Sequence, residues 1–368
     1  MIRNLQHFAL SVPDVEAGRR FYETFGLKAE SRGERLALRC AGRDQDQVLL
    51  SEGARRRLHH LSFGTNGSDL AATKAKLEAA GVRLIDPPGA GLPGGLWFAD
   101  PDGTIVNLQV AEAAAVNADP AARINAPGDF RRLGARGAPA RGAVTRPRRL
   151  GHVLLFTPDV DRIVAFYTGM LGMRLSDEVR GVIAFLRTGG DSDHHVLAFA
   201  KSERPGFHHA SFEVGSLDEI VLGASHVTDA GYRSAWGLGR HVIGSNFFHY
   251  LRDPWNGMAE YFWKFLYLPT LKTLTSLLNS RVHCLISARR ETTTSNFVWK
   301  RRPTRRAIMK SFGRHCRRQL RGGWNGRQTT VVISCPARWR GKRSAGQMAP
   351  KVWPSCVRES PATEMSIQ

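Results

Sequence analysis

Residues 239–262 read Gly239-Arg-His-Val-Ile-Gly-Ser-Asn-Phe-Phe-His-Tyr-Leu-Arg-Asp-Pro-Trp-Asn-Gly-Met-Ala-Glu-Tyr-Phe262. Two short apolar runs flank Asp253-Pro-Trp-Asn-Gly257, whose Asp, Pro, Asn and Gly all favour turns, so the stretch predicts a β-hairpin. His241, Tyr250 and Glu260 ride on it. Glu260 stands between Ala259 and Tyr261 in a strand-like run, and a carboxylate there is costly to bury unless a cation meets it. A metal ion would supply that charge, and its other ligands must then come from elsewhere in the chain.

Moving outward, the same Asp-Pro turn recurs at Asp100-Pro-Asp-Gly103, which points to an internal repeat. Four strand-like alternations each open on a histidine: His7-Phe-Ala-Leu-Ser-Val, His60-Leu-Ser-Phe-Gly-Thr, His152-Val-Leu-Leu-Phe-Thr and His209-Ala-Ser-Phe-Glu-Val. A segment with apolar residues at helical spacing follows each one. The first and third such segments start at Val15 and Val160 and close before Gly26-Leu27 and Gly172-Met173. The second and fourth start near Ser68 and Ser216, expected N-caps, and stop at Gly81 and Gly231, suited to the C-terminal cap. Short strand-like runs then complete each unit. The expectation is an α+β chain of four βαβββ units paired into two domains, about 1–112 and 147–263. The Ala-, Gly-, Pro- and Arg-rich residues 113–146 between them read as a flexible linker.

Charge and cysteine mark a further boundary. Residues 264–368 hold 22 Lys and Arg against three acids, a formal +19 of the chain's +21, which leaves the first 263 residues at +2. Four of the five cysteines lie in that segment, and no spacing suggests a zinc finger or a disulfide framework. Strand alternation stops there as well. So basic a segment, without a sustained apolar face, buries too little to offset about 1–2 kcal/mol of backbone entropy per residue. Residues 264–368 are therefore expected to be a disordered basic tail, read from a shifted frame or otherwise foreign to what precedes it. Such an end would leave part of the second domain uncovered and cost stability or activity. Runs such as Lys300-Arg-Arg-Pro-Thr-Arg-Arg306 could neutralise phosphates, but they form no recognisable module, so nucleic acid is not an expected partner. No signal segment and no apolar run near the ~20 residues of a bilayer span occurs, so a soluble, cytoplasmic protein without membrane contact is expected. A homo-oligomer is compatible with all of this.

Within the second domain the repeat places His152 and His209 at the starts of equivalent strands, with Glu260 near the end of the last. Two imidazoles and a carboxylate that leave other metal positions open are the ligand set of non-haem Fe(II) oxygenases. The first domain is an internal control. His7 and His60 fill the histidine positions, but seven residues beyond the turn Asp stands Asn107 instead of Glu260, and Trp97 replaces Tyr250. A neutral amide is a poor ligand, so the first domain is expected to bind no metal. Cys40 and the pairs Phe21-Tyr22 and Phe166-Tyr167 are expected to be packing residues.

With these residues in hand, the chain resembles the two-domain type I extradiol dioxygenases of the vicinal oxygen chelate superfamily, over about residues 1–263. Residues 239–260 carry most of that family's signature: Gly-x-His, a spacer, Tyr, Asp-Pro and a terminal Glu. The resemblance implies Fe(II), with Mn(II) less favoured, held by His152, His209 and Glu260, and a catechol-type substrate cleaved with dioxygen. It implies that His195, His241 and Tyr250 act on substrate and oxygen, Tyr250 and His241 holding the catecholate and His195 donating a proton. His195 is preferred to His194 because His195-Val-Leu-Ala-Phe fits the family's His-x-x-Ala-apolar pattern. Two departures, His249 and Asn256, bear on substrate placement. Lyases, isomerases and thiol transferases of the same superfamily, and members that only bind a ligand, are the alternatives, but they leave His195, His241 and Tyr250 together unexplained.

Overall fold

The computed structural model describes residues 1–113, 125, 127–139 and 143–269. The first domain runs β1 (Asn4–Val12), α1 (Val15–Thr24), β2 (Lys28–Arg32), β3 (Arg35–Arg39), β4 (Val48–Glu52), β5 (Arg57–Thr65), α2 (Gly67–Ala79), β6 (Leu96–Ala99) and β7 (Ile105–Val110). Its strands form one mixed sheet in the order β2-β3-β4-β1-β5-β7-β6. The second domain begins β8 (Arg149–Thr157), α3 (Val160–Gly169), β9 (Arg174–Val179), β10 (Ile183–Arg187), β11 (Ser192–Asp193) and β12 (Leu197–Lys201). It continues β13 (Gly206–Glu213), α4 (Leu217–Asp229), β14 (Ser234–Arg240), β15 (Phe247–Arg252), β16 (Met258–Trp263) and β17 (Tyr267–Leu268). Here the main sheet has the order β14-β15-β16-β13-β8-β12-β10-β9, and β11 pairs with β17.

The repeat is visible in the pairing. The strands that open the units, β1 with β5 and β8 with β13, are antiparallel partners at the centre of each sheet. Each has a parallel neighbour on its other side, β4 and β7 in the first domain, β12 and β16 in the second. The four units are not equally complete: in the second, the strand expected after α2 is reduced to a bridge between Leu84 and Phe98. Helix starts follow side-chain capping. Asp14, Asp159 and Ser216 accept from the backbone N–H of Ala17, Arg162 and Glu219. The expected cap Ser68 is corrected to Asn66, which accepts from Asp69 N–H and also takes the Ser68 hydroxyl's hydrogen bond. Both types cap, and the residue with extended backbone where the chain enters the helix takes the role. Gly81 and Gly231 leave α2 and α4 at φ 71° and 93°.

A single buried apolar cluster spans both domains. Phe25, just after α1, stacks on Tyr261 of β16 at 3.9 Å, and the Tyr261 hydroxyl donates to Phe25 O at 2.7 Å. Burial of Phe25 contributes about 1.5–3 kcal/mol and the ring pair about 1 kcal/mol more. The first domain therefore packs directly behind the strand that carries Glu260. Each turn aspartate also reaches across: Asp100 accepts from the Tyr167 hydroxyl at 3.1 Å and Asp253 from Arg56 Nε at 2.6 Å. Cys40, Phe21, Tyr22 and Tyr167 are buried, as packing residues should be.

Two expected boundaries shift. The end of the linker is docked, not free: Thr145 is buried and donates to Glu219 O, and Ala41 N donates to Pro147 O. Residues 114–124, 126 and 140–142 of that linker lie outside the described residues. After Trp263 the chain does not leave the fold. Lys264 at φ 65° breaks β16, Leu266 N donates to Gly244 O, His194 N donates to Leu266 O, and β17 pairs with β11. Strand alternation disappears at Lys264 because the chain turns there before pairing again. The remainder of the expected tail, residues 270–368, lies outside the described residues. No helix among the described residues is long and apolar enough to cross a membrane.

Candidate metal centre

The antiparallel pair β8/β13 carries two bulges, and each directly precedes a histidine. Ser211 faces His152 while Phe212 faces Leu150, which leaves Gly151 as the extra residue; Phe207 faces Leu155 while His209 faces Leu154, which leaves His208 as the extra residue. Bulges re-aim the side chains beside them. Strand β16 lies parallel to β13 with Glu260 in register with Ser211. His152 and Glu260 thus flank Ser211 from opposite sides, and His209, two residues before it, shares its face. His152 Nε2 lies 3.4 Å and His209 Nε2 3.3 Å from Glu260 Oε2, with 3.2 Å between the two imidazole nitrogens.

All three side chains are buried, Glu260 completely, yet neither Glu260 oxygen accepts a well-aligned hydrogen bond, its nearest polar neighbours being the imidazole nitrogens at 3.3 and 3.4 Å, and Ser211 Oγ and His152 Nδ1 are without partners. Buried polar atoms are rarely left so. A divalent cation among two imidazoles and a carboxylate would resolve the defect, and the donor set suits one. Burial pushes the Glu260 carboxyl up, but close contact with His152 and His209 outweighs it and holds the group well below its usual range. Burial holds His209 below its ordinary value against the pull of Glu260, which favours the neutral imidazole a metal requires.

Three more residues named from the sequence meet this group. Tyr250 is in register with Glu260 across β15/β16, and its burial, together with Glu260, keeps the phenol protonated well above its usual range. The His241 ring stacks on Phe248 and places Nε2 3.1 Å from the Tyr250 hydroxyl and 3.8 Å from Glu260 Oε1. At 26% side-chain exposure His241 is the open edge of the site, while His152 and His209 are at 4% and 3%. Burial, partly offset by Glu260, lowers its pKa to about 4. His195 stands before β12 with its ring 4.4 Å from that of His152, and burial followed by the neighbouring imidazoles lowers its pKa well below the usual value. The two departures point elsewhere. His249 bonds Ser234 Oγ on the opposite face of β15, and Asn256, at φ 69°, accepts from Arg233 in the turn.

The first domain repeats the frame without the defect. Asn107 is in register with Ser62, as Glu260 is with Ser211. Its Oδ1 accepts from Ser62 Oγ at 2.7 Å, and its Nδ2 donates to Gly94 O and Leu96 O. His7 and His60 share a hydrogen bond at 2.9 Å, and burial lowers their pKa values to about 4 and about 2. Trp97 donates to Pro93 O. Among the described residues only the second domain gathers a metal-ligating group.

Two residues beside the group, His208 and Phe265, are not among those named from the sequence. His208 belongs to one of three His-His doublets, at 59–60, 194–195 and 208–209, a signal that was present. Phe265, edge-on to His195 at 4.8 Å and to His152 at 5.5 Å, had no signal because it follows the break in β16.

The profile of the Glyoxalase/Bleomycin resistance protein/Dioxygenase superfamily matches residues 4–108 and 149–261. Metapyrocatechase 2 of Cupriavidus necator is 42% identical over 271 residues, covering 73% of this chain and 83% of that protein. Biphenyl-2,3-diol 1,2-dioxygenase of Metapseudomonas furukawaii is 27% identical over 281 residues, covering 71% and 86%. Among solved structures, the Mn(II)-bound glyoxalase from Novosphingobium aromaticivorans aligns with TM-score 0.59 and 25% identity over 73% of this chain and 84% of that one. The 2,3-dioxygenase LapB from Pseudomonas sp. KL28 aligns with TM-score 0.60 and 21% identity over 74% and 95%, a likeness of fold.

Proposed function

The chain belongs to the Glyoxalase/Bleomycin resistance protein/Dioxygenase superfamily, and from that membership we infer that it is an extradiol dioxygenase, opening the ring of a catechol beside its hydroxyls with dioxygen. The observation that carries the reading is the buried Glu260 carboxylate, left without a well-aligned hydrogen bond between His152 and His209 and beside His195, His241 and Tyr250. His152, His209 and Glu260 are the metal ligands in this reading. Fe(II), with Mn(II) as the less favoured ion, would supply a Lewis-acidic and redox-active centre for substrate and dioxygen.

The chain's own groups divide the remaining work. A catechol entering past His241 meets the His241–Tyr250 pair first. The Tyr250 hydroxyl, protonated at all working pH, donates a hydrogen bond to a catechol oxygen. His241 is neutral and can accept a catechol hydroxyl proton at Nε2. The Nδ1 of His195 is engaged with His194 Nδ1 at 3.1 Å, which leaves Nε2 to hold and deliver a proton on the oxygen side. A positioned acid or base of this kind contributes about 10²–10⁴-fold in rate. Phe185, Phe262 and Phe265 surround the His152–His195 pair and exclude water from it. Lyase, isomerase or thiol-transfer chemistry would leave this proton-handling set without a task.

Anaerobic reconstitution with Fe(II) or Mn(II), followed by oxygen and a panel of monocyclic and bicyclic catechols, tests the reading. A yellow ring-opened product is expected. Stoichiometric metal binding without product from any catechol, with either ion, would refute it.

A further inference from the structure

We propose that His208, the extra residue of the bulge in β13, positions the metal ligand His209 by accepting a hydrogen bond from its Nδ1–H. The proposal rests on the reading of His209 as a ligand. The two Nδ1 atoms lie 2.6 Å apart, and the rings meet edge to face at 4.8 Å. Neighbours in a regular strand point to opposite faces. They can meet here because His208 has no partner residue on β8, so the bulge turns both rings to one side. Phe156 of β8 closes on the His208 ring at 5.0 Å and 81°, which holds it in place.

A hydrogen bond between two imidazole nitrogens needs one donor and one acceptor. His209 directs Nε2 at Glu260 and His152, where a metal requires a lone pair, so the His209 proton must sit on Nδ1. His208 Nδ1 is then the acceptor, with its own proton on Nε2. The nitrogen that binds the metal is decided by the bond the other nitrogen makes, and loss of such a partner typically lowers metal affinity 10–100-fold. His152 offers a contrast, since its Nδ1 has no partner. His209 is therefore the ligand whose tautomer and direction a neighbouring imidazole supports.

The first domain provides a control in the same molecule. There the register skips His59 between Leu58 and His60, and His59 Nδ1 lies 2.8 Å from His60 Nδ1. The bulge and the imidazole contact thus occur where no ligand group forms, so changing His59 perturbs the same local structure without touching the metal.

The experiment compares the full chain with His208→Phe, which keeps a ring but has no acceptor, His208→Asn, which restores an oxygen acceptor near the Nδ1 position, and His59→Phe. Two quantities are read. One is the affinity for Fe(II) under argon, by competition with a chromogenic chelator. The other is the His209 tautomer in the metal-free protein, by long-range ¹H–¹⁵N spectra of histidine-labelled chain. His208→Phe is expected to weaken Fe(II) binding about 10–100-fold and to turn the single Nδ1–H state of His209 into a mixture. His208→Asn is expected to recover most of both, and His59→Phe to match wild type. Wild-type affinity and tautomer in His208→Phe would overturn the proposal, as would an equal loss in His59→Phe. Neither readout involves turnover, so a chain that binds Fe(II) but cleaves no catechol would refute the dioxygenase reading and leave this one standing. If His209→Ala binds Fe(II) as wild type does, the ligand reading fails and this proposal with it.

Discussion

The two domains hold the same polar frame and differ in whether it is satisfied. In each, two histidines that follow bulges meet across the central antiparallel pair, and a serine lies in register with the decisive residue of the parallel strand. Asn107 has donors and acceptors for its whole amide, and His7 and His60 satisfy each other. Glu260 has no well-aligned hydrogen bond, although it is as deeply buried. Taking a carboxylate out of water costs several kcal/mol that only a countercharge offsets. Both domains present imidazoles at matching positions, and among the described residues only the second adds a carboxylate to them. What separates the domains is a buried carboxylate whose polar neighbours are imidazoles, in place of an amide with every group bonded.

Four substitutions test that contrast. The largest effect is expected from Glu260→Gln, which removes the charge with little change of volume. Metal retention should be lost and turnover should fall to background. The metal-dependent rise in stability, about 2.7 kcal/mol at a hundredfold excess over Kd, should vanish while the metal-free fold survives. Full iron occupancy of the mutant, measured by elemental analysis, would sink the assignment.

His195→Ala should retain iron and bind catechol but lose about 10²–10⁴-fold in kcat, since its task is proton delivery. Iron content as low as in His209→Ala would make it a ligand instead.

Asn107→Glu reverses the substitution in the first domain. It does not create a second centre on this view, because a carboxylate would face Gly94 O and Leu96 O where the amide now donates. About 3–5 kcal/mol of stability should be lost to an unpaired buried charge, with metal stoichiometry still one per chain. Denaturant unfolding and metal titration check both, and a stoichiometry of two would show that the ligand residue alone suffices.

The smallest effect concerns the turn aspartates that link the domains. Asp253 is paired with Arg56, whereas Asp100 is met by the neutral Tyr167 hydroxyl. Burial raises the Asp100 pKa from 3.8 to about 6, against hydrogen bonds from Thr104, Tyr167 and Asp102. A carboxyl raised in the folded state binds its proton more tightly there than in the unfolded chain. Its contribution is therefore complete below about pH 4 and is lost as pH rises from there through about 6, roughly 3 kcal/mol in total. Asp100→Asn should flatten that part of the stability profile, and an unchanged slope would exclude Asp100 as its source.

Much of this was legible in the residues. The period of two after each histidine, the glycines that end α2 and α4, and the paired Asp-Pro turns define the repeat through local backbone preferences. Counting from the turn aspartates then separates Glu260 from Asn107. The residues named from that pattern and from the resemblance, His152, His209, Glu260, His195, His241 and Tyr250, lie near one another. Other features depended on partners distant in the chain. A bulge exists only relative to the strand across from it, so neither Gly151 nor His208 announces itself in its own neighbourhood. The strand lost after α2, the cap at Asn66 in place of Ser68, and the return of Phe265 over His195 were likewise settled by packing. Residue types, repeat and hairpin were determined by the sequence itself, since they express preferences over a few neighbouring residues. Tertiary structure alone decided which histidine nitrogens face Glu260 and which face another imidazole, because strand order and register bring together atoms that local preference cannot relate.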